Sequence, residues 1–567
     1  MKLTQRFSFT IEAAILFVAA FSAAGQTARP DFNRAQTYDV QHYTIRASFD
    51  AKQKKVFGDT TVTLKPLKAG FTTVELDAVG LNFQSVKLDP SGTDLTHRSA
   101  AGKVIVTLDH AYSPSDTIAI RFKYTTTEPK KGVYFVDEEK ENGTGHSAQI
   151  WSQGEAEEAR YWFPSFDFPS DKATTEEYIT AQKDETVIGN GELLGKDDNA
   201  DGTVTWHYKM PVAHSTYLVS FVIGKYVRVD DKYGAVPLGY YIYPGKEQTA
   251  RKAFGDTPKM IQVYEELTGV KFPYNKYDQT VVAHFQFGGM ENITATTMAD
   301  TEIFFADLGL GDGIVTDLVS HELAHSWFGD MVTCRNWAEL WLNEGFATYM
   351  EAAYREKAFG RENYLAKIRS NAGDFLIDDS ISRKRHGLFN RRAADVNGLF
   401  DNAAITYNKG GAVLHQLREQ VGTENFWKAI NAYLNAHKFA NVESTDLKKA
   451  MEDASGQDLG WFFDQWVYGV GAPKLSILPV YSTRTKTLKL TINQTQRADT
   501  LVPTAFRLPV NIAVKTSRGV QYSTVELTKR MDIVTIKSDA KPTEITFDPE
   551  DKVVLKTVKM LPVRVVR

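Results

Sequence analysis

Apolar residues alternate with polar ones near both ends of the chain and recur at helical spacing between them. Tyr43, Ile45, Ala47 and Phe49 occupy every second position, as do Val62 and Leu64 on the following segment. Leu488, Leu490 and Ile492, then Leu508, Val510, Ile512 and Val514, repeat the pattern toward the other end. A period of two places one face of a strand in a core. Phe426, Ile430, Tyr433 and Leu434, and the stretch from His321 to Phe328, follow the three-to-four spacing of buried helices instead. The pattern predicts a multidomain α+β chain with β-rich flanks around a mostly helical middle. There is no internal repeat, and the acidic run Asp137 to Glu141 beside Gly143 and Gly145 reads as a solvated loop.

Length and composition narrow this picture. The 567 residues exceed what one hydrophobic core supports, so two to four domains of roughly 100–200 residues are expected. Hydrophobic residues at 43% and charged residues at 24% exclude a disordered, collagen-like or coiled-coil chain. Sixty-six basic against 70 acidic side chains leave a net charge of −4, which does not fit a nucleic-acid binder. Cys334 is the single cysteine, so there is no intramolecular disulfide and no Cys-rich zinc or Fe–S module. Any metal is held by His and carboxylates.

Lys2 and Arg6 precede a nine-residue apolar run, Ala13 to Phe21, and small residues follow at Ser22, Ala23, Ala24 and Gly25. This is the layout of a secretory signal peptide over residues 1–25, too short to span a bilayer. No cysteine stands at the cleavage region to carry a lipid, and no other stretch reaches 18 apolar residues, so no membrane anchor is expected. The expectation is an exported bacterial protein, periplasmic or secreted. Asn142-Gly143-Thr144, Asn292-Ile293-Thr294 and Asn493-Gln494-Thr495 fit the glycosylation acceptor pattern, but the second overlaps the chemistry described next, so all three are read as unused.

The sharpest signal is His321-Glu322-Leu323-Ala324-His325. On a helix, two histidines four apart share a face and can hold one ion, with Glu322 beside them. Tetrahedral zinc in a hydrolytic site takes three protein ligands and keeps one position for water. Glu344, separated from His325 by eighteen residues and set in an otherwise apolar Trp341-Leu342-Asn343-Glu344-Gly345-Phe346 stretch, supplies the third from the next helix. The ligand types fit one Zn2+ per chain, and the same set also accepts cobalt or manganese. Metal-bound imidazoles require outer acceptors for their second N–H. Glu351, on the Glu344 face together with Thr348, is the first candidate and Asp330 the second.

HELAHSWFGD followed by WLNEGFATYME resembles the aminopeptidase N and leukotriene-hydrolase type of gluzincin zinc metallopeptidases, family M1. The resemblance assigns further residues. Phe287-Gly288-Gly289-Met290-Glu291-Asn292 is similar to the family's exopeptidase signature. Its glycines let an edge strand hydrogen-bond an extended peptide, and Glu291 faces the substrate's free α-ammonium. Gln153-Gly154-Glu155 resembles the N-terminal segment that completes the clamp, with Gln153 lining the first subsite and Glu155 sharing the ammonium. Ile405-Thr406-Tyr407-Asn408-Lys409-Gly410 matches the Tyr-x-Lys-Gly element, in which Tyr407 donates to the oxyanion. Phe287 occupies a position that floors the first side-chain pocket in relatives, though a packing role fits it equally. Cys334 reads as a small buried hydrophobe.

The resemblance implies a saddle-like β domain over residues 26–227, a thermolysin-like catalytic domain over 228–471 and a C-terminal β-sandwich over 472–567. Larger relatives carry a helical domain over the active site, so this short bacterial member is expected to have a more open one. The basic cluster Arg383, Lys384, Arg385, His386, Arg391 and Arg392 reads as a solvated loop, with attraction of a peptide carboxylate as the alternative.

What the resemblance implies is zinc-dependent aminopeptidase activity on peptides with a free N-terminus. In this reading Glu322 is the general base and acid, and Tyr407 stabilises the oxyanion. Alternatives on the same scaffold are a lipid epoxide hydrolase and a catalytically silent peptide-binding module. Endopeptidase activity conflicts with the paired clamp carboxylates.

Overall fold

The computed structural model describes residues 30–140, 145–309, 313–382 and 384–567. The signal-peptide expectation at 1–25, the acceptor sequence at Asn142 and the basic residue Arg383 lie outside the described residues.

The N-terminal region is built from strands. Tyr38–Asp50 pairs antiparallel with Lys55–Pro66 from Tyr38 opposite Pro66 to Asp50 opposite Lys55, and parallel with Ala173–Gln182. These are the central strands of a seven-stranded sheet. The alternation is realised in the register. Tyr43, Ile45, Ala47, Val62 and Leu64 are buried, while Phe49 near the strand end is half-buried against Phe135 and Phe221. A smaller four-stranded sheet contains Gln149–Ser152 and ends with Phe221–Gly224.

A five-stranded mixed sheet opens the middle of the chain at Val227–Tyr233, and Tyr277–Val282 is its central strand. Ala295–Ala299 follows, and the two-residue strand Gly289–Met290 forms the edge. Four helices then matter for the site: α1 (Ile314–Ala324), α2 (Trp341–Phe359), α3 (Arg361–Ile381) and α4 (Gly410–Val421). The helical periodicity read from His321 to Phe328 runs beyond the helix. α1 ends at Ala324, the N–H groups of Trp327 and Phe328 both return to the Ala324 carbonyl, and Gly329 follows at φ +134°. His325 keeps helical dihedrals as the capping residue, so the two histidines still share a face.

The last part of the chain forms a five-stranded and a three-stranded sheet. Leu488, Leu490 and Ile492 from the first, and Leu508, Val510, Ile512 and Val514 from the second, are buried in one core. Sheets this small need such mutual burial of their apolar faces. Together the three regions make the α+β architecture that the hydrophobic pattern predicts. Among the described residues, no helix is long and apolar enough to cross a membrane.

Hydrogen bonds tie the regions together next to the cleft. The Asn190 side chain donates to the Ile293 carbonyl at 2.8 Å, and the Gly191 N–H donates to Thr294 Oγ1 at 2.8 Å. The buried Lys172 ammonium caps the Asp330 and Met331 carbonyls at 3.0 and 3.1 Å. On the other side, the Leu555 N–H reaches Gln416 Oε1 on α4 at 3.1 Å.

Candidate active site

α1 and α2 pack against each other and bring His321, His325 and Glu344 together. Glu344 Oε2 lies 3.2 Å from His321 Nε2 and 3.5 Å from His325 Nε2, and the three ligand atoms lie within 4.8 Å of one another. All three side chains are buried. Two imidazole nitrogens and one carboxylate oxygen at this spacing fit the corners of a zinc coordination shell with a corner to spare.

The outer acceptors are also present. Glu351 Oε1 accepts from His321 Nδ1 at 2.8 Å, and its other oxygen takes the Lys367 ammonium at 2.6 Å. Lys367 also holds Asp317 at 2.9 Å, which Arg355 grips at 2.6 Å. The second candidate, Asp330, does not serve His325. The turn that ends α1 delivers the Phe328 carbonyl to His325 Nδ1 at 2.9 Å instead. Thr348 lines the cleft from α2.

Glu322 is buried beside the triad, and its Oε2 has no hydrogen-bond partner. Gly289 passes so close that a Cβ there would fall 2.2 Å from Glu322 Oε1, so a larger residue at that edge-strand position would displace the Glu322 carboxylate. Gly288 is less constrained, its nearest neighbour being Leu318 at 3.1 Å. Met290 is buried and accepts from Gln153 Nε2 through its sulfur at 3.3 Å, leaving Gln153 Oε1 unpaired.

Glu155, from the N-terminal region, and Glu291 bring carboxylate oxygens within 4.8 Å of each other and of Glu344. Each has a buried oxygen, Oε1, without a hydrogen-bond partner. Burial first, then the neighbouring Glu291 and Glu344 charges, pushes Glu155 well above the ordinary carboxylate range. Burial also raises Glu291, against the pull of His325. Burial raises Glu322 to about 8. Burial opposes a charged His321, but Glu344 and Glu351 outweigh it and bring this imidazole up to about 9. The same pairing, with His325 foremost, overrides burial at Glu344 and takes it down to about 2. A pocket with four buried carboxylates besides the Lys367-paired Glu351, and with two imidazoles, favours cations.

Tyr407 sits on a π-helical turn, Ala404–Lys409, immediately before α4. Its ring stacks on His321 with centroids 5.9 Å apart and planes 13° apart. Burial and the Glu344, Glu155, Glu291 and Glu322 charges hold the phenol well above its ordinary range, so its hydroxyl keeps its proton. Phe287 is 41% exposed on the rim, between Phe285 and Phe400 at 6.0 and 5.8 Å. The cleft they enclose is about 530 Å3 and opens past Phe287 and Ile314, itself 53% exposed. Cys334 is buried.

The Peptidase family M1 domain matches residues 252–466, and the Peptidase M1 N-terminal domain matches residues 39–218. This chain belongs to peptidase family M1. Among M1 relatives, Aminopeptidase 2 of Candida albicans is 28% identical over 79% of this chain and 49% of its own length. Aminopeptidase N of Streptomyces lividans is 33% identical over 57% of this chain and 38% of its own. Aminopeptidase M1 of Arabidopsis thaliana is 28% identical over 67% and 42%. The chain thus spans about half or less of the length of these curated M1 relatives.

Some M1-site neighbours escape the motifs. Lys367 and Asn371 line the cleft from α3, and Glu302 and Leu318 line it ahead of Glu322. No spacing rule singles out Lys367 and Asn371, because their place depends on how α3 crosses α2, whereas Leu318 lies one helical turn before Glu322 on α1. None of the described members of the basic cluster lines the cleft. Lys384 pairs with Asp401, Arg385 pairs with Asp379 at 2.8 Å, and His386 is buried against the Gly387 carbonyl. The pairs at Lys384 and Arg385 match the solvated-loop reading better than a peptide-carboxylate site, whereas the buried His386 departs from it.

Proposed function

We propose that this chain is a zinc-dependent aminopeptidase that removes the N-terminal residue of peptides. The carrying observation is the convergence of Glu155 and Glu291, each with an unpaired buried oxygen, beside the His321–His325–Glu344 triad. A peptide's α-ammonium is the cation that fits this pair, and its place there marks where the chain begins.

Zinc held by His321, His325 and Glu344 would supply a Lewis acid that makes hydroxide accessible near neutral pH. Glu322 takes the proton of the attacking water on Oε2 and passes it to the leaving amine. Tyr407 donates its phenolic proton as a hydrogen bond to the oxyanion on the scissile carbonyl. The Gly288–Gly289–Met290 edge pairs with the extended substrate backbone, Gln153 and Phe287 border its first side chain, and Glu155 with Glu291 fixes the register. Substrate ammonium and a divalent ion together offset three of the four buried carboxylate charges. The fourth, on Glu322, passes to the attacking oxygen and then the oxyanion when Glu322 takes the water's proton, and Tyr407 meets it there.

The same reading divides the chain into residues 26–227, 228–471 and 472–567. The end of one sheet at Gly224 and the start of the next at Val227 support the first boundary. The gap between the last helical turn, ending at Tyr468, and the strand from Lys474 supports the second. The leader-like composition of residues 1–25 supports export.

The test is hydrolysis of aminoacyl p-nitroanilides beside their N-acetylated twins, with and without a chelator. Chelator-sensitive cleavage of only the free-amine series is expected. Equal cleavage of both series would remove the exopeptidase reading. No cleavage by a zinc-loaded protein would favour a binding module or epoxide hydrolysis.

A further inference from the structure

A second group of imidazoles and a carboxylate lies away from the catalytic triad. Glu139 and His146 belong to the hairpin of the N-terminal region whose second strand is Gln149–Ser152. His284 belongs to the loop between Tyr277–Val282 and the Gly288–Gly289 edge. Their ligand atoms fall within 4.8 Å of one another.

Three features make this more than a surface ion pair. First, the separations are those of ligands. Glu139 Oε2 lies 3.6 Å from His146 Nε2 and 3.9 Å from His284 Nε2. Both are too long for hydrogen bonds. Neighbouring ligands on a tetrahedral zinc stand roughly 3.3 Å apart at the usual bond lengths, and the catalytic triad shows 3.2 and 3.5 Å.

Second, the tautomer is set for coordination. His146 Nδ1 lies 3.0 Å from the Ser147 carbonyl, which can only accept, so Nδ1 carries the proton. The Nε2 lone pair of a side chain only 3% exposed then faces the Glu139 carboxylate, with a cation the natural occupant between them.

Third, the backbone prepares the arrangement. Glu139 and His146 exchange two main-chain hydrogen bonds of 3.0 Å each. His284 is held at φ +59°, in the left-handed region. Such a conformation is unfavourable for a non-glycine residue and persists where the surroundings impose it.

We propose that Glu139, His146 and His284 form a second site for a borderline-soft divalent cation of the Zn2+ class, with water completing the shell on the exposed side. Two imidazoles and one carboxylate favour such an ion over Ca2+ or Mg2+, which take oxygen ligands. An ion there clamps the N-terminal hairpin to the loop that carries Phe285 and Phe287. Phe285 already stacks edge-on against Trp151 of the same hairpin at 5.3 Å.

The inference does not depend on the catalytic reading, and metal counting tests it. The metal-stripped full chain is titrated with Zn2+ alone, and bound equivalents are counted in wild type, His284→Asn and Glu139→Gln. Asparagine tolerates the left-handed backbone and His284 is 66% exposed on its side chain, so the variant retains the fold. Wild type should take two equivalents. Both variants should keep the first and bind the second at least about tenfold more weakly, while millimolar Ca2+ or Mg2+ should not displace it. Zn2+ binding that both variants leave unchanged, whatever the stoichiometry in wild type, or displacement of the variant-sensitive equivalent by Ca2+, would overturn the proposal.

Discussion

Gly410 and Gly345 meet backbone to backbone: a Cβ on Gly410 would stand 2.7 Å from the Cα of Gly345. That contact sets the distance between α2, which carries Glu344, and the turn that carries Tyr407. Gly410→Ala should push the two apart, costing about 1–3 kcal/mol of stability and lowering kcat on the order of a hundredfold. Thermal melting and anilide kinetics read the two effects separately. A stability loss with kcat intact would show that Tyr407 does not take its position from this contact.

Lys367 reaches His321 only through Glu351. Lys367→Met leaves Glu351 without its ammonium and loosens the imidazole it orients. Zinc affinity, measured by chelator competition, should fall about 10–100-fold. An unchanged affinity would limit Lys367 to holding α3 against Asp317.

Glu155→Gln and Glu291→Gln each remove one charge from the pair assigned to the substrate amine. Each should lower kcat/KM on free-amine anilides by about two to three orders of magnitude, as expected for losing one side of a buried charge pair. The rate on acetylated substrates should barely move, so the ratio between the two series is the telling number. The double variant should fall short of the product of the singles, since both carboxylates serve one cation.

Away from the site, Glu177 is fully buried, and burial pushes it up to about 8 against the Asn190 N–H and Lys276. A carboxyl raised above its unfolded value binds its proton more tightly when folded. Its contribution is therefore complete below about pH 4 and is lost as pH rises toward 8. Glu177→Gln keeps an acceptor for Asn190 and carries no charge. The drop in melting temperature between pH 5 and pH 8.5 should be smaller in the variant than in wild type. An equal drop in both would mean that Glu177 is not the titrating group.

The parts of the site that lie close together in sequence were legible from it. HExxH and Glu344 sit on consecutive helices whose apolar faces announce themselves, so spacing alone brings the triad together. The strand flanks were equally readable, because Leu488 to Ile492 and Leu508 to Val514 each bury one face of a sheet. Periodicity overran the end of α1, since Trp327 and Phe328 are buried by a turn instead of another helical repeat. Lys367 behind Glu351, the Gly345–Gly410 contact and the Glu139–His146–His284 cluster were not legible. Each joins segments that meet only after helices, or in the last case domains, have packed, and no local pattern records which surfaces will meet.

Glu155 arrives from the N-terminal β region, whereas Glu291 belongs to the sheet that leads into the zinc helices, and the Asn190–Ile293 and Gly191–Thr294 bonds pin the seam between them. Recognition of a free amine is therefore divided, on the proposed function, between two regions of the chain, while His321, Glu322, His325, Glu344 and Tyr407 all stand on one. A slip of about an ångström along that seam would leave the hydrolytic machinery whole and blind it to where a peptide begins. On the proposed function, the measuring gauge of this enzyme and its blade can be altered independently.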